Sequence, residues 1–273
     1  MGATADTIWQ VPAYLPYLQP PLTSEVVAAA EAVIGYRLPQ ELLSLLARQN
    51  GGYIRYSLPR NVHDTIAGIG PHYPSLTAFD WDECQEHVSF PLHGLVPFDG
   101  DGHWHLCLDY RENPVTPSVT LVDIECDRQT EIARSFADYL DVLRIDVDDQ
   151  YVLLAVADLE DVKSRLAAIL SVAFDPPDAG DHGYPTHRAR QNSGWIWISP
   201  NAVPRGFVRP TDPRYTELKN LMPGSASRYP ELPENSYLLS ASEAILPAVV
   251  DACARCRLLV RPLHELVTDV WVE

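Results

Sequence analysis

The sequence predicts an α+β protein of two domains, and three observations carry that reading. At 273 residues the chain can bury two cores of common size. Between residues 22 and 145 its hydrophobic periodicity runs from helical to alternating and back to helical. Beyond an acidic stretch, "IDVDDQY" at 145–151, helix and strand patterns return without repeating the first half. The expected division is therefore 1–145, with an extended N-terminal lead-in, and 146–273.

The first ~20 residues are rich in aromatics and proline, as suits an extended segment packed on a domain surface. Thr23 or Ser24 can cap a helix over "SEVVAAAEAVI", and Gly35 can end it. A second helix opens with Pro39 at its first position and Glu41 at the positive end of the dipole. Leu42, Leu43 and Leu46 share one face, and Asn50 with Gly51 is expected to supply the left-handed turn that stops it. "YIRYSL" alternates like a strand, and "GLVPFDGDGHWHLCLDY" reads as a hairpin turning at "DGDG". "PSVTLVDIE" is a further strand, and "EIARSFADYLDVLR" spaces Ile132, Phe136, Leu140 and Leu143 as a helix does.

In the second half, Asp158 can cap a helix over "LEDVKSRLAAILSVAF", and "WIWIS" is a strand. The proline-rich "PNAVPRGFVRPTDPRY" is expected to be an ordered loop. "SYLLS", a helix over "SEAILPAVVDACARC" with Pro247 in its first turn or kinking it, and the strand "RLLVRPL" complete the domain.

Composition narrows the function. With 20 basic and 37 acidic side chains the net charge is −17, which repels phosphate backbones and anionic membranes and attracts basic proteins. Residues 1–145 hold 8 basic against 19 acidic side chains, a balance of −11, and no lysine. No apolar run is long enough to span a membrane, and no basic region followed by an apolar run opens the chain, so a cytoplasmic location is expected. The five cysteines are odd in number and scattered, as reduced thiols are. Cys253 and Cys256 form a C-x-x-C late in a helical pattern, where the helix dipole does not favour a thiolate.

The run "AEAVIGYRLPQELLSLLARQNGG" resembles the start of the SUKH superfamily. Glu31, Ile34, Gly35, Leu38, Pro39, Leu42, Leu46, Asn50, Gly51 and Gly52 match its pattern, and "VPFDGDGHWHLCLDY", "PSVTLVDIE" and "EIARSFADYL" follow in the family's order. The resemblance covers about residues 22–145. It implies helices packed on a curved, mostly antiparallel sheet, and no shared enzymatic activity. It further implies a bacterial immunity protein that neutralises a toxin by occlusion; the alternative is a regulatory scaffold for the cell's own proteins. Residues 146–273 match no known family, and a deep pocket there would argue for an enzyme.

Candidate chemistry is sparse. There is no G-x-S-x-G, H-E-x-x-H or P-loop, so no catalytic residues are assigned and no cofactor is expected. Asp99, Asp101, His103, His105 and Asp109 are metal-ligand types, with His103 and His105 expected on one strand face, but the run lacks the spacing of an EF-hand and reads more simply as a hairpin. "FDWDECQEH" sets Asp80, Asp82, Glu83 and Glu86 around Trp81, an arrangement that can anchor a basic protein. These five residues, with Asp99 and Asp101, are the candidate partner-binding set, and a basic toxin domain is the expected partner. Seven basic residues between 188 and 228, interleaved with Trp195, Trp197, Phe207 and Tyr215, would suit phosphate contacts and base stacking on a nucleic-acid binder; on an acidic protein they are expected to pair with its own carboxylates or to dock the domains.

Overall fold

The computed structural model describes residues 3–58, 63–147, 150–178, 182–192 and 194–271. Asp148 and Asp149 of the acidic stretch lie outside the described residues. Contacts divide the chain into two compact units, Met1–Ile145 and Asp146–Glu273. Both combine helices with antiparallel sheets, so the α+β class holds. No helix among the described residues is long and apolar enough to cross a membrane.

The first unit runs β1 (Ala13–Tyr14), α1 (Ser24–Ile34), α2 (Gln40–Arg48), β2 (Gly52–Tyr53), β3 (Tyr56–Ser57) and β4 (Thr65–Ile66). It continues with β5 (Leu95–Gly100), β6 (Trp104–Asp109), β7 (Ser118–Asp123), β8 (Arg128–Ala133), α3 (Phe136–Val142) and β9 (Arg144–Ile145). Thr23 caps α1, its side chain accepting from the Val26 N–H, and Gly35 ends the helix at φ 83°. Glu31, buried in α1, accepts hydrogen bonds from the Leu38 N–H at 3.0 Å and from Arg37, and so ties α1 to the start of α2. Pro39 is the N-cap of α2, so the helix begins at Gln40, one residue later than the sequence suggested.

The end of α2 departs from expectation. Gln49 is the C-cap in an extended conformation, and positive φ begins at Gly51 (89°) and Gly52 (128°). The Asn50 side chain, 6% exposed, is spent elsewhere. Its Nδ2 donates to the carbonyls of Pro20 (2.6 Å) and Ile69 (2.9 Å), and its Oδ1 accepts from the Ile69 N–H at 2.8 Å. Gly51 and Gly68 meet backbone to backbone: a Cβ on Gly51 would lie 2.7 Å from the Gly68 nitrogen.

Strands β5 to β8 form an antiparallel sheet in chain order, with a bulge between Pro97 and Asp99. One face packs on α3 through Phe98, whose ring lies 5.7 Å from Phe136 and 5.4 Å from Tyr139. The other face buries Leu95, Cys107 and Val122 with Leu92 and Ile124, and Trp81, Val88 and Phe90 pack against them. Two sequence expectations change. "YIRYSL" is broken into β2 and β3, which pair with β4 and β9 respectively. Ile132 belongs to β8, and α3 starts only at Phe136, capped by Ser135, because residues 128–133 pair with β7.

The second unit runs β10 (Tyr151–Leu154), α4 (Leu159–Leu170), β11 (His187–Gln191), β12 (Gly194–Pro200), β13 (Ala202–Pro204) and β14 (Gly206–Phe207). It ends with α5 (Tyr215–Leu218), β15 (Ser225–Ser227), β16 (Tyr237–Ala241), α6 (Leu246–Arg255) and β17 (Leu259–Pro262). Asp158 caps α4 and Pro247 sits in the first turn of α6. The expected loop at 200–215 holds short strands; β13 pairs with β15. The main sheet has the order β11-β12-β16-β10-β17, antiparallel throughout. Without β11 it is the split β-α-β arrangement in which two helices cover one face. Leu166 and Leu170 of α4, with Val249 and Ala252 of α6, meet Ile196, Ile198 and Leu239 of that face. Cys253 is buried there, and burial, with Cys256 beside it, pushes its thiol up to about 12; all five cysteines are free.

Asn50→Ala should destabilise the first unit by about 3 kcal/mol in urea denaturation, since it strands the buried N–H and carbonyl of Ile69 and removes the bond to the Pro20 carbonyl. Gly35→Ala, where a Cβ meets nothing within 4 Å, should cost only the ~1–2 kcal/mol of a left-handed L-residue. Gly68→Ala should cost more than Gly35→Ala, because its Cβ would lie 2.6 Å from the Asn50 carbonyl oxygen.

Candidate functional site

Helix α1 ends, and strand β5 begins, on either side of a groove in the first unit. Val33, Ile34 and Tyr36 line one wall, and Gly94 to Pro97 with His93 line another. The segment Leu76, Thr77, Phe79 and Trp81 completes it around a volume of about 180 Å³. That is smaller than the ~300–1,000 Å³ of small-molecule sites and suits a single inserted side chain. Val33 is 71% exposed and Phe79 is 38% exposed, although both are apolar.

Trp81 is half-buried. Its indole N–H donates to the Leu95 carbonyl at 2.9 Å, and its ring packs against the Leu92 and Leu95 cluster. Phe79 meets it edge-on at 4.5 Å. The ring that joins them is His105 of β6, 4.7 Å from Phe79 and 5.2 Å from Trp81. His105 is buried, and among the described residues its Nε2 has no hydrogen-bond partner. Burial holds its pKa below the ordinary 6.5, against the upward pull of Asp101 and Asp99.

The sequence-derived residues fall into three groups. Asp80, Asp82, Glu83 and Glu86 are exposed in the segment that carries Trp81, with Glu86 on a short 3-10 turn, Gln85–His87. Asp101 is exposed at the β5–β6 turn, where its carboxylate accepts from the His103 and Trp104 N–H groups. Asp99 is turned inward instead: its carboxylate lies 2.5 Å from Nδ1 of buried His63, whose Nε2 bonds the Tyr139 hydroxyl. It serves the interior.

His103 and His105 do not share a face. His103 lies in the turn and pairs with Glu125 at 2.7 Å, while His105 points into the aromatic cluster. Among the described residues no group of three or more histidine, cysteine or acidic side chains is placed to hold a metal. Phe79, Val33 and Tyr36 were missed in the sequence. Phe79 carried a signal, since it precedes Trp81 by two residues in "AFDWDE"; Val33 and Tyr36 join the groove only through the packing of α1.

His105 makes the first unit acid-sensitive in a defined direction. The folded state holds the ring neutral, whereas the unfolded chain takes a proton near 6.5, so the contribution is full above that pH and lost as pH falls below it. His105→Leu should flatten the decline in denaturation midpoint between about pH 7 and pH 5.

No curated protein matches this chain. Residues 21–142 match the SMI1 / KNR4 family (SUKH-1): the first two helices, the four-stranded sheet and the third helix of the first unit lie within the match, and residues 143–273 lie outside it.

Proposed function

We propose that the protein is a non-catalytic binding protein, and that its partner is a basic toxin domain which it neutralises by occlusion. One observation carries the reading: an exposed aromatic groove sized for one side chain lies beside exposed carboxylates at Asp80, Asp82 and Glu83. An apolar pocket flanked by carboxylates supplies the two parts of a tight protein contact. The pocket anchors a side chain and removes its area from water, while the charge speeds encounter and rejects acidic partners. The SUKH-1 match of residues 21–142 supports binding over catalysis, and the balance of −11 over residues 1–145 supports a basic partner. On this reading Trp81 is the floor of the pocket, and Asp80, Asp82, Glu83, Glu86 and Asp101 are its acidic surround. The cytoplasm, where a toxin would act, is the proposed location.

Co-expression with a toxin encoded beside this gene tests the class: rescue of growth and a stable complex are expected. Val33→Arg, at a wall position 71% exposed, should leave the melting temperature unchanged and weaken the complex at least tenfold by blocking the groove with a positive charge. Asp80→Lys with Asp82→Lys should slow association most at low salt. A toxin bound equally well by all these variants would place its contact elsewhere. A host protein captured at the same groove, with no toxin rescue, would favour the scaffolding role.

A further inference from the structure

The second unit's sheet has a helix-covered face and an opposite face of different chemistry. Register places Arg188 opposite Trp197 and Arg190 opposite Trp195, and these four side chains alternate with buried Ala189, Ile196 and Ile198. They therefore point away from α4 and α6. The Arg188 and Arg190 guanidiniums lie over the Trp195 ring, at 5.3 and 5.8 Å from its centroid. Two residues beyond Trp197 on the same face, Ser199 accepts a hydrogen bond from Arg228 at 2.9 Å, and Arg228 stacks on Tyr184 at 4.5 Å.

On a chain of net charge −17 these arginines are an exception. Arg188 has an acidic partner, Asp175 at 2.9 Å, as expected for the basic residues of this segment. Arg190 and Arg228 have none among the described residues: Arg190 is exposed over the Trp195 ring, and Arg228 is half-buried on Tyr184 with one N–H donated to Ser199, so each keeps further donors of its five for a carboxylate.

We propose that this face is a second docking surface, and that it takes an extended acidic peptide segment of another protein. The anchor points on β12, Trp195 under Arg190 and Ser199 under Arg228, are four residues apart, about 13 Å at the rise of a strand. An extended segment with carboxylates at i and i+4 places one at each arginine and lays its middle residue over Trp197. A single-stranded nucleic acid fits less well: it needs bare ring faces for its bases, and Trp195 already carries the protein's own guanidiniums. The −17 charge also repels a polyanion more than a segment with two carboxylates. This inference concerns the second unit alone and does not depend on the groove of the first.

The test is fluorescence anisotropy on the full chain at low salt, with a labelled eight-residue peptide carrying aspartates four apart and a leucine midway. Saturable binding is expected, lost when asparagine replaces the aspartates and weakened at least tenfold by Arg190→Gln with Arg228→Gln. Arg255→Gln, on α6, which packs on the opposite face, should bind as the unaltered chain does. Charge swapping guards against misfolding: Arg190→Glu with Arg228→Glu should bind the same peptide carrying lysines for aspartates. Absence of saturable binding, equal binding by the double glutamine variant, or capture of labelled oligothymidylate that the acidic peptide does not displace would overturn the proposal.

Discussion

The first unit depends on one side chain. Asn50 reaches the carbonyl of Pro20 in the lead-in and both backbone groups of Ile69, while its own carbonyl accepts from the Gln19 N–H at 2.8 Å. Gln19 extends the clasp, taking the His72 N–H at 2.9 Å and donating to the Pro74 carbonyl at 3.0 Å. Three segments far apart in sequence are joined where no helix or strand can satisfy their backbone groups. Gly51 and Gly68 allow the close approach this requires, which is why asparagine and glycine stand together at the end of α2.

That clasp holds the chain on its path toward the sheet, and the sheet makes the groove. Its four strands are covered on one face by α3 and on the other by the segment containing Trp81. Trp81 is neither a free surface anchor nor a fully buried core residue. Its N–H and one side are committed to the interior, and the remainder faces a cavity edged by the end of α1. A ring held this way has little conformational freedom left to lose on contact, and that is what favours aromatic anchors at interfaces.

The two units present opposite surface chemistry. In the first, the exposed carboxylates of Asp80, Asp82 and Glu83 flank an apolar recess. In the second, the guanidiniums of Arg188 and Arg190 lie over Trp195 on the sheet face turned away from α4 and α6. Net charge describes the long-range field, whereas docking answers to the few groups that touch, so a chain of −17 can carry both.

The sequence by itself determined the local events whose causes lie within a few residues. Thr23, Gly35, Asp158 and Pro247 act on the turn that holds them, and the β5–β6 hairpin follows from alternation and a turn rich in aspartate and glycine. The SUKH-like order of elements was legible for the same reason, as a string of such events. Tertiary structure decided the rest, where a residue's role depends on partners distant in the chain. Residues 128–133 became strand because β7 pairs with them, overriding a helical spacing that Ile132 shared by coincidence. Asp99 and Asp101, two residues apart and chemically alike, were divided between the interior and the surface by the position of His63. His105 was one of several histidines in the sequence and became the link between Trp81 and the hairpin turn through packing alone. Periodicity records which face of an element is apolar, but the identity of the opposing surface is a long-range property, and both docking surfaces are built from it.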